Sequence, residues 1–208
     1  GFQLVILAIE LTMPELERIT KKDEIQTEVF IHGALCYSFS GMCLFSSFTG
    51  GQGANRGLCK QPCRRIFHTP QISTPFSLKD LQSVKNIEQL KQLNIHSLKV
   101  EGRLKSANYV QNVAKAYKML LNDTTKQNEA LKLLEMDMGR DKTGYFAGGD
   151  VSDAITSRTA TGYNLGHIIK NDTEHLTIHT STKLEKGDRL RVVHQDGSQT
   201  AFKINEYE

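Results

Sequence analysis

No apolar run in this chain reaches the roughly 18 residues that a membrane-crossing helix needs, so no segment reads as one and no membrane partner is expected. There is no basic region ahead of the first apolar stretch, GFQLVILAIELTMPELERIT, and Glu10 interrupts it, so it does not read as a secretory signal. There is no internal repeat and no low-complexity segment, which sets aside repeat architectures and disordered tails. The zinc-protease pattern H-E-x-x-H is missing, and so is the serine elbow G-x-S-x-G. YSFSG comes closest to the elbow and has Tyr37 where glycine belongs. Cysteine is absent outside residues 36–63.

What is present suits a packed protein. Of the 208 residues, 38% are hydrophobic and 24% charged, enough apolar content for a core. The net charge of +3 is compatible with an anionic partner without arguing for one. The expected setting is cytoplasmic, where thiols stay reduced. The chain opens at Gly1 in mid-pattern and is expected to be a piece of a longer protein.

LVILAI (4–9) is a continuous apolar run, the pattern of a strand buried on both faces. Thr12 is placed to cap a helix that Pro14 opens, with Glu15 and Glu17 in its first turn. TEVFIHGALC (27–36) is a second strand, and this β–α–β order predicts a parallel sheet. Residues 37–75 show little periodicity and hold a glycine-rich run, TGGQGANRG. FSLKDL (76–81) predicts a short strand, SVKNIEQLKQLN a helix, HSLKVEG (96–102) a strand. Ser106 caps a further helix whose Tyr109, Val110, Val113, Ala116, Tyr117 and Leu120 form a core stripe. The chain then turns polar and irregular over 122–160. From Thr161, GHIIK, EHLTIHT, DRLRVVHQ and TAFKINEYE alternate at period two between turn sequences. The expected architecture is α/β: the C-terminal units of a TIM-like (β/α) barrel over 1–124, an irregular linker over 125–160, and a small antiparallel all-β barrel over 161–208. A complete barrel of this kind takes about 250 residues, so its N-terminal half is expected upstream.

Cys36, Cys43, Cys59 and Cys63 are spaced C-x6-C-x15-C-x3-C. Cys36 ends the second strand and the others follow in the loop that leaves it, where an α/β barrel keeps its chemistry. Disulfides and inert thiols are the bland readings; a metal or cluster site accounts for four thiols close in sequence. Cys59 and Cys63 have zinc-knuckle spacing, but Cys36 and Cys43 are loose for zinc, so spacing favours an iron–sulfur cluster and leaves zinc open. Arg56, Lys60, Arg64 and Arg65 interleave with the cysteines and suit phosphate or carboxylate binding, or a solvated basic loop. His32 is a candidate general base for a cysteine, or a strand residue facing a helix. Glu101, Arg103 and Lys105 follow the HSLKV strand: Glu101 is a candidate acid/base or a partner of Arg103, and Lys105 a candidate phosphate contact. The β-rich tail is a candidate RNA-binding barrel, although Phe202 and Tyr207 are its few aromatics for base stacking.

EVFIHGALCYSFSGMCLFS (28–46) resembles the signature of the collagenase-like peptidase family U-32, through Glu28, Phe30, Gly33, Ala34, Leu35, Cys36, Gly41, Cys43 and Ser46. Phe45 departs from the pattern, which has an aliphatic residue there. LKVEGRLKSANYV (98–110), GRDKTGYFAGGD and the β-rich tail are also similar to the family, so the resemblance covers nearly the whole chain. It implies one of two activities. The family is named for peptidase activity, whereas several bacterial members support C5 hydroxylation of a pyrimidine in tRNA or 23S rRNA. Others, in ubiquinone hydroxylation, carry a 4Fe–4S cluster on four cysteines. By resemblance, Cys36, Cys43, Cys59 and Cys63 would be cluster ligands, RNA the substrate, prephenate a co-substrate, and the iron–sulfur assembly machinery a partner. A zinc-stabilised RNA-binding protein without catalysis is the third possibility.

Overall fold

The computed structural model describes residues 1–22, 25–67, 74–102, 105–135, 137, 139–156, 162–172, 175–195 and 198–206. Its strands are β1 (Leu4–Ile6), β2 (Gln26–Ala34), β3 (Asp80–Gln82), β4 (Ser97–Val100), β5 (Lys142–Thr143), β6 (Gly166–Asn171), β7 (Leu176–Thr180), β8 (Arg189–Val193) and β9 (Gln199–Lys203). Its helices are α1 (Met13–Thr20), α2 (Phe45–Gly50), α3 (Ile87–Gln92), α4 (Ala107–Asn122) and α5 (Gln127–Glu135). Two compact units result, Gly1–Tyr163 and Asn164–Glu208. Among the described residues no helix is long and apolar enough to cross a membrane.

The first unit is mixed α/β, organised by β2. The first residues of β2 pair with β1 and its middle with β4, both parallel. Its last three residues, His32 to Ala34, pair with β3, and here the expectation of an all-parallel sheet is corrected: β3 runs antiparallel. The loop leaving β2 carries the chain round so that it re-enters the sheet beside the strand end it left. The expected strand over 76–81 begins later, at Asp80, with Leu78 making an isolated bridge to Ile155.

One face of β2, with Val29 and Ile31, packs on Val84, Ile87, Leu90 and the buried stripe of α4. Burying each such side chain stabilises the fold by about 1.5–3 kcal/mol. The Ser106 hydroxyl caps α4 by accepting the Tyr109 N–H at 3.2 Å. In α1 the Thr12 N–H and hydroxyl both donate to the Glu15 carboxylate, at 2.8 and 2.6 Å. A second cluster, around Leu35, Leu78, Leu81, Tyr145 and Ala154, surrounds the end of β2.

Two further expectations are corrected. The segment 125–160 is not an irregular linker: α5 lies within it and buries Ala130 and Leu134 in the main core. A single 3-10 turn, Thr124–Lys126, separates α5 from α4, and Asp123 caps that turn. At nine residues, about two and a half turns, α5 is held by packing on α4. The apolar β1 is not buried on either face; Leu4, Val5 and Ile6 are all exposed.

The second unit has its four strands where alternation predicts them. They form two antiparallel ladders, β6 with β7 and β8 with β9. Among the described residues of this unit, Leu190 and Ile204 are the buried hydrophobics.

Gly33 lets β2 and the chain leaving β4 approach closely. Its φ is +119°, and a Cβ there would lie 2.6 Å from Glu101 Cβ and 2.9 Å from the Glu101 carbonyl oxygen. Gly33→Ala combines an unfavourable backbone with an overpacked contact and should cost about 2–4 kcal/mol; an unchanged denaturant midpoint would show that the strands separate freely there.

Candidate functional site at the end of the central strand

Cys36 lies two residues beyond the end of β2. The loop that follows is ordered by its own contacts. Ser46, fully buried in α2, accepts the Lys60 N–H at 3.0 Å, and the Asn55 amide donates to the Gly41 carbonyl at 2.7 Å. Tyr37, Phe45, Phe67 and Phe76 form an aromatic cluster with centroids 5.2–6.3 Å apart. Within TGGQGANRG, Gly51 and Gly57 take left-handed conformations that end α2 and the 3-10 turn Ala54–Arg56.

The cysteines influence one another electrostatically. Burial pushes the Cys36 thiol above its ordinary pKa; a backbone N–H from Ser38 opposes this, and the charges of Cys43 and Cys59 add to the rise. Burial also raises Cys63, against the pull of Arg64, with Cys36 and Cys59 again adding. Cys36 is therefore within electrostatic reach of the other three. Gln61 holds φ +51°, rare for a non-glycine residue, and donates its N–H to Cys59 Sγ at 3.3 Å. All four thiols are free. Among the described residues, no three His, Cys, Asp or Glu side chains converge as a site for a single metal ion.

The interleaved basic residues separate into two kinds. Arg56, Lys60 and Arg65 are exposed. Arg64 is buried: Nη1 donates to the Leu78 carbonyl and, at 3.2 Å, to Ser77 Oγ, while Nη2 donates to the Leu35 carbonyl at 2.8 Å. The expectation that Arg64 grips a substrate anion is thus corrected. A buried guanidinium needs acceptors, and here it finds them in the backbone at both ends of the cysteine loop.

His32 is enclosed as well. Its Nε2 lies 2.8 Å from Asp137 Oδ2 and its Nδ1 lies 3.2 Å from the Tyr117 hydroxyl. That hydroxyl accepts the Ser83 N–H and shares its one proton between the Ile31 carbonyl and the Nδ1 lone pair. Burial pushes the imidazole below its ordinary pKa more than Asp137 lifts it, so His32 is neutral and donates Nε2–H to the carboxylate. For Asp137 burial acts upward, but hydrogen bonds from His32 and Lys142 outweigh it and bring the pKa down to about 2. With its side chain sealed and both nitrogens engaged, His32 stands as the strand residue facing a helix.

Glu101 leaves β4 at the same end of the sheet. Its N–H donates to the His32 carbonyl at 2.8 Å, and its carbonyl accepts the Tyr109 hydroxyl at 3.2 Å. Lys105 is half-buried with its ammonium 4.8 Å from the centre of the Tyr109 ring. Burial lowers its pKa, against the upward pull of Asp80 and Asp137. Arg103 and Tyr207 lie outside the described residues. Sequence reasoning missed Asp80, Asp137, Arg140 and Lys142. Asp80 is buried and accepts the Arg140 N–H at 3.0 Å, and Lys142 pairs with Asp137. The alternating charges of MDMGRDK were the signal, passed over because the segment reads as irregular.

A cleft of about 230 Å³ opens beside these groups, lined by Ile9, Phe30, Leu35, Cys36, Leu81 and Glu101 among others.

The model of peptidase family U32 matches residues 1–156. Among curated proteins, the chain is 30% identical to a 23S rRNA 5-hydroxycytidine synthase of Escherichia coli, over 93% of this chain and 33% of that protein. It is 30% identical to tRNA hydroxylation protein P1 of Bacillus subtilis, over 91% and 52%, and 31% identical to a collagenase of Porphyromonas gingivalis, over 55% and 33%. The chain thus spans a third to a half of the length of these relatives. No solved structure matches it.

Arg64→Met should lower stability by about 2–3 kcal/mol, because it strips charged hydrogen bonds from buried carbonyls; a loss below 0.5 kcal/mol in a denaturant titration would remove the bracing role. The depressed Asp137 contributes stability that is full above the ordinary carboxylate pKa of about 4 and lost as pH falls toward 2. Asp137→Asn should therefore flatten the acid limb of the stability–pH curve, by about 2–3 kcal/mol between pH 5 and 2. An acid limb with the wild-type slope would put the titrating group elsewhere.

Proposed function

Because this chain belongs to peptidase family U32, we propose that it is part of an iron–sulfur-dependent enzyme that hydroxylates C5 of a pyrimidine in tRNA or 23S rRNA. The observation that carries the reading is the place of Cys36 in the wall of the cleft, within electrostatic reach of Cys43, Cys59 and Cys63. All the donors are thiols, and backbone N–H groups already point at two of the sulfurs, Cys36 and Cys59. Hydrogen bonds to sulfur and nearby positive charge are what a thiolate-held cluster needs. The spacing, loose for zinc between Cys36 and Cys43, favours a four-iron cluster over zinc. Bound there, the cluster would supply one-electron chemistry; the chain's own part is to hold its ligands and to admit the base.

RNA as partner is supported by the names of the relatives and by charge. From Val29 to Lys79 there is no Asp or Glu, while Arg56, Lys60 and Arg65 are exposed among the exposed aromatics Tyr37, Phe39 and Phe48. Basic groups beside stacking surfaces suit single-stranded nucleic acid. The same basic groups would hold an anionic co-substrate such as prephenate. The unit from Gly1 to Tyr163 is read as part of a TIM-like barrel. An apolar β1, exposed on both faces, fits a barrel strand whose neighbour belongs to the stretch of the relatives that this chain does not span. The two hairpins of Asn164–Glu208 are read as a small β-barrel. A cytoplasmic setting and loading by the iron–sulfur assembly machinery follow from the reading.

The peptidase alternative has the family's name and the names of two relatives behind it but little chemistry here. A Cys–His dyad would require His32, whose ring is sealed between Asp137 and Tyr117.

The full-length protein, purified without oxygen, should carry about four irons and four sulfides per chain with broad visible absorbance. Serine at any of Cys36, Cys43, Cys59 or Cys63 should remove the cluster and the RNA hydroxylation read by mass spectrometry. Stoichiometric zinc in place of iron, or full activity in any one variant, would defeat the four-ligand reading.

A further inference from the structure

The second unit, Asn164–Glu208, has little core to hold it together. It is roughly 45 residues long, and Leu190 and Ile204 are its buried hydrophobics among the described residues. All of β6 is exposed. A two-stranded hairpin is marginal by itself in water, and units below about 70–80 residues commonly add a disulfide or a metal to a small core. A disulfide within this unit is excluded, because every cysteine of the chain lies in the first unit.

The hairpin β6–β7 carries the alternative. His167 and His179 stand directly opposite in the ladder, so both rings rise from the same face of the hairpin. Their centroids lie 5.2 Å apart, with the ring planes 33° from parallel. Two imidazoles on one tetrahedral zinc, through bonds of about 2.0–2.1 Å, have ring centres about 5 Å apart. The pair is therefore already at chelating distance. Gly166 lets the strands close up beside it, since a Cβ there would collide with the His179 carbonyl oxygen. Both histidines are exposed, and among the described residues no hydrogen bond or ion pair engages either ring. Two other exposed histidines of the unit differ: His194 Nε2 lies 2.8 Å from the Thr200 hydroxyl, and His175 Nδ1 lies 3.8 Å from Asp172.

We propose that His167 and His179 chelate a divalent transition ion of the zinc class, and that the ion staples β6 to β7. The site goes beyond the hydroxylase reading and does not depend on it. Imidazole suits zinc, copper and nickel, whereas magnesium and calcium take oxygen ligands. Among the described residues no third His, Cys, Asp or Glu side chain joins the pair, so water fills the remaining positions and the ion exchanges readily. The second imidazole adds affinity because, with the first one bound, it is held at high effective concentration. An ion that binds the paired strands and not the separated ones stabilises the hairpin by mass action.

The test uses the full-length protein and zinc alone, with wild type, His167→Ala, His179→Ala and His175→Ala compared. Zinc per chain is counted after equilibrium dialysis over a range of free zinc. Zinc held by the thiols is common to all four proteins and cancels in the comparison. Wild type should hold one ion more than either paired variant, with the affinity for that ion falling about 100-fold in each. His175→Ala should match wild type, and a large excess of magnesium should not displace the ion. Hydrogen exchange of the β6 and β7 amides should slow with zinc in wild type and in His175→Ala, and in neither paired variant. Equal uptake by wild type and the paired variants would overturn the site, as would loss of the ion in His175→Ala or its displacement by magnesium. Uptake without slower exchange would overturn the staple.

Discussion

One buried guanidinium closes the loop on which the site depends. Arg64 reaches the carbonyl of Leu35, just before the first cysteine, and the carbonyl of Leu78, after the last. The two ends of a long, weakly periodic segment are thereby held at one point beside β2. Loop closure grows costly only slowly with length, so a few strong bonds suffice to hold such a segment. Without this tie the thiols would depend on the aromatic cluster and the short turns alone.

The same strand end organises the charges behind the loop. His32, Asp137, Lys142 and Tyr117 form a buried network in which the carboxylate is ionised, the imidazole neutral and the lysine the counter-charge. A network of this kind rigidifies when every member is satisfied. It anchors α4 and the chain following α5 to the residue beside Gly33, and Gly33 in turn admits Glu101. Structural polar groups and candidate functional ones are thus neighbours: the His32 ring is sealed in the core, and Glu101 follows beside it at the cleft.

The division among the basic residues follows the same logic. Arg64 is withdrawn into backbone contacts, while Arg56, Lys60 and Arg65 remain at the surface.

Much was legible before the fold was known. The cysteines announced themselves by confinement to one loop, and α4 by its stripe and its serine cap, because cap chemistry and helical periodicity are local. The antiparallel return of β3 was not legible, nor the helix α5, the exposure of β1, or the burial of Arg64. Each depends on which distant surface lies opposite, and a sequence pattern records only that a residue is apolar or charged. Asp137 illustrates the limit: it stands in a run of mixed charges that reads as solvated, and it becomes buried because His32, 105 residues earlier, supplies the donor. The sequence by itself determined most of the elements, the confinement of the four thiols to one loop and the mixed α/β class. Only the tertiary structure decided which charges are sealed and which face the cleft, since burial is a property of contacts between segments far apart along the chain.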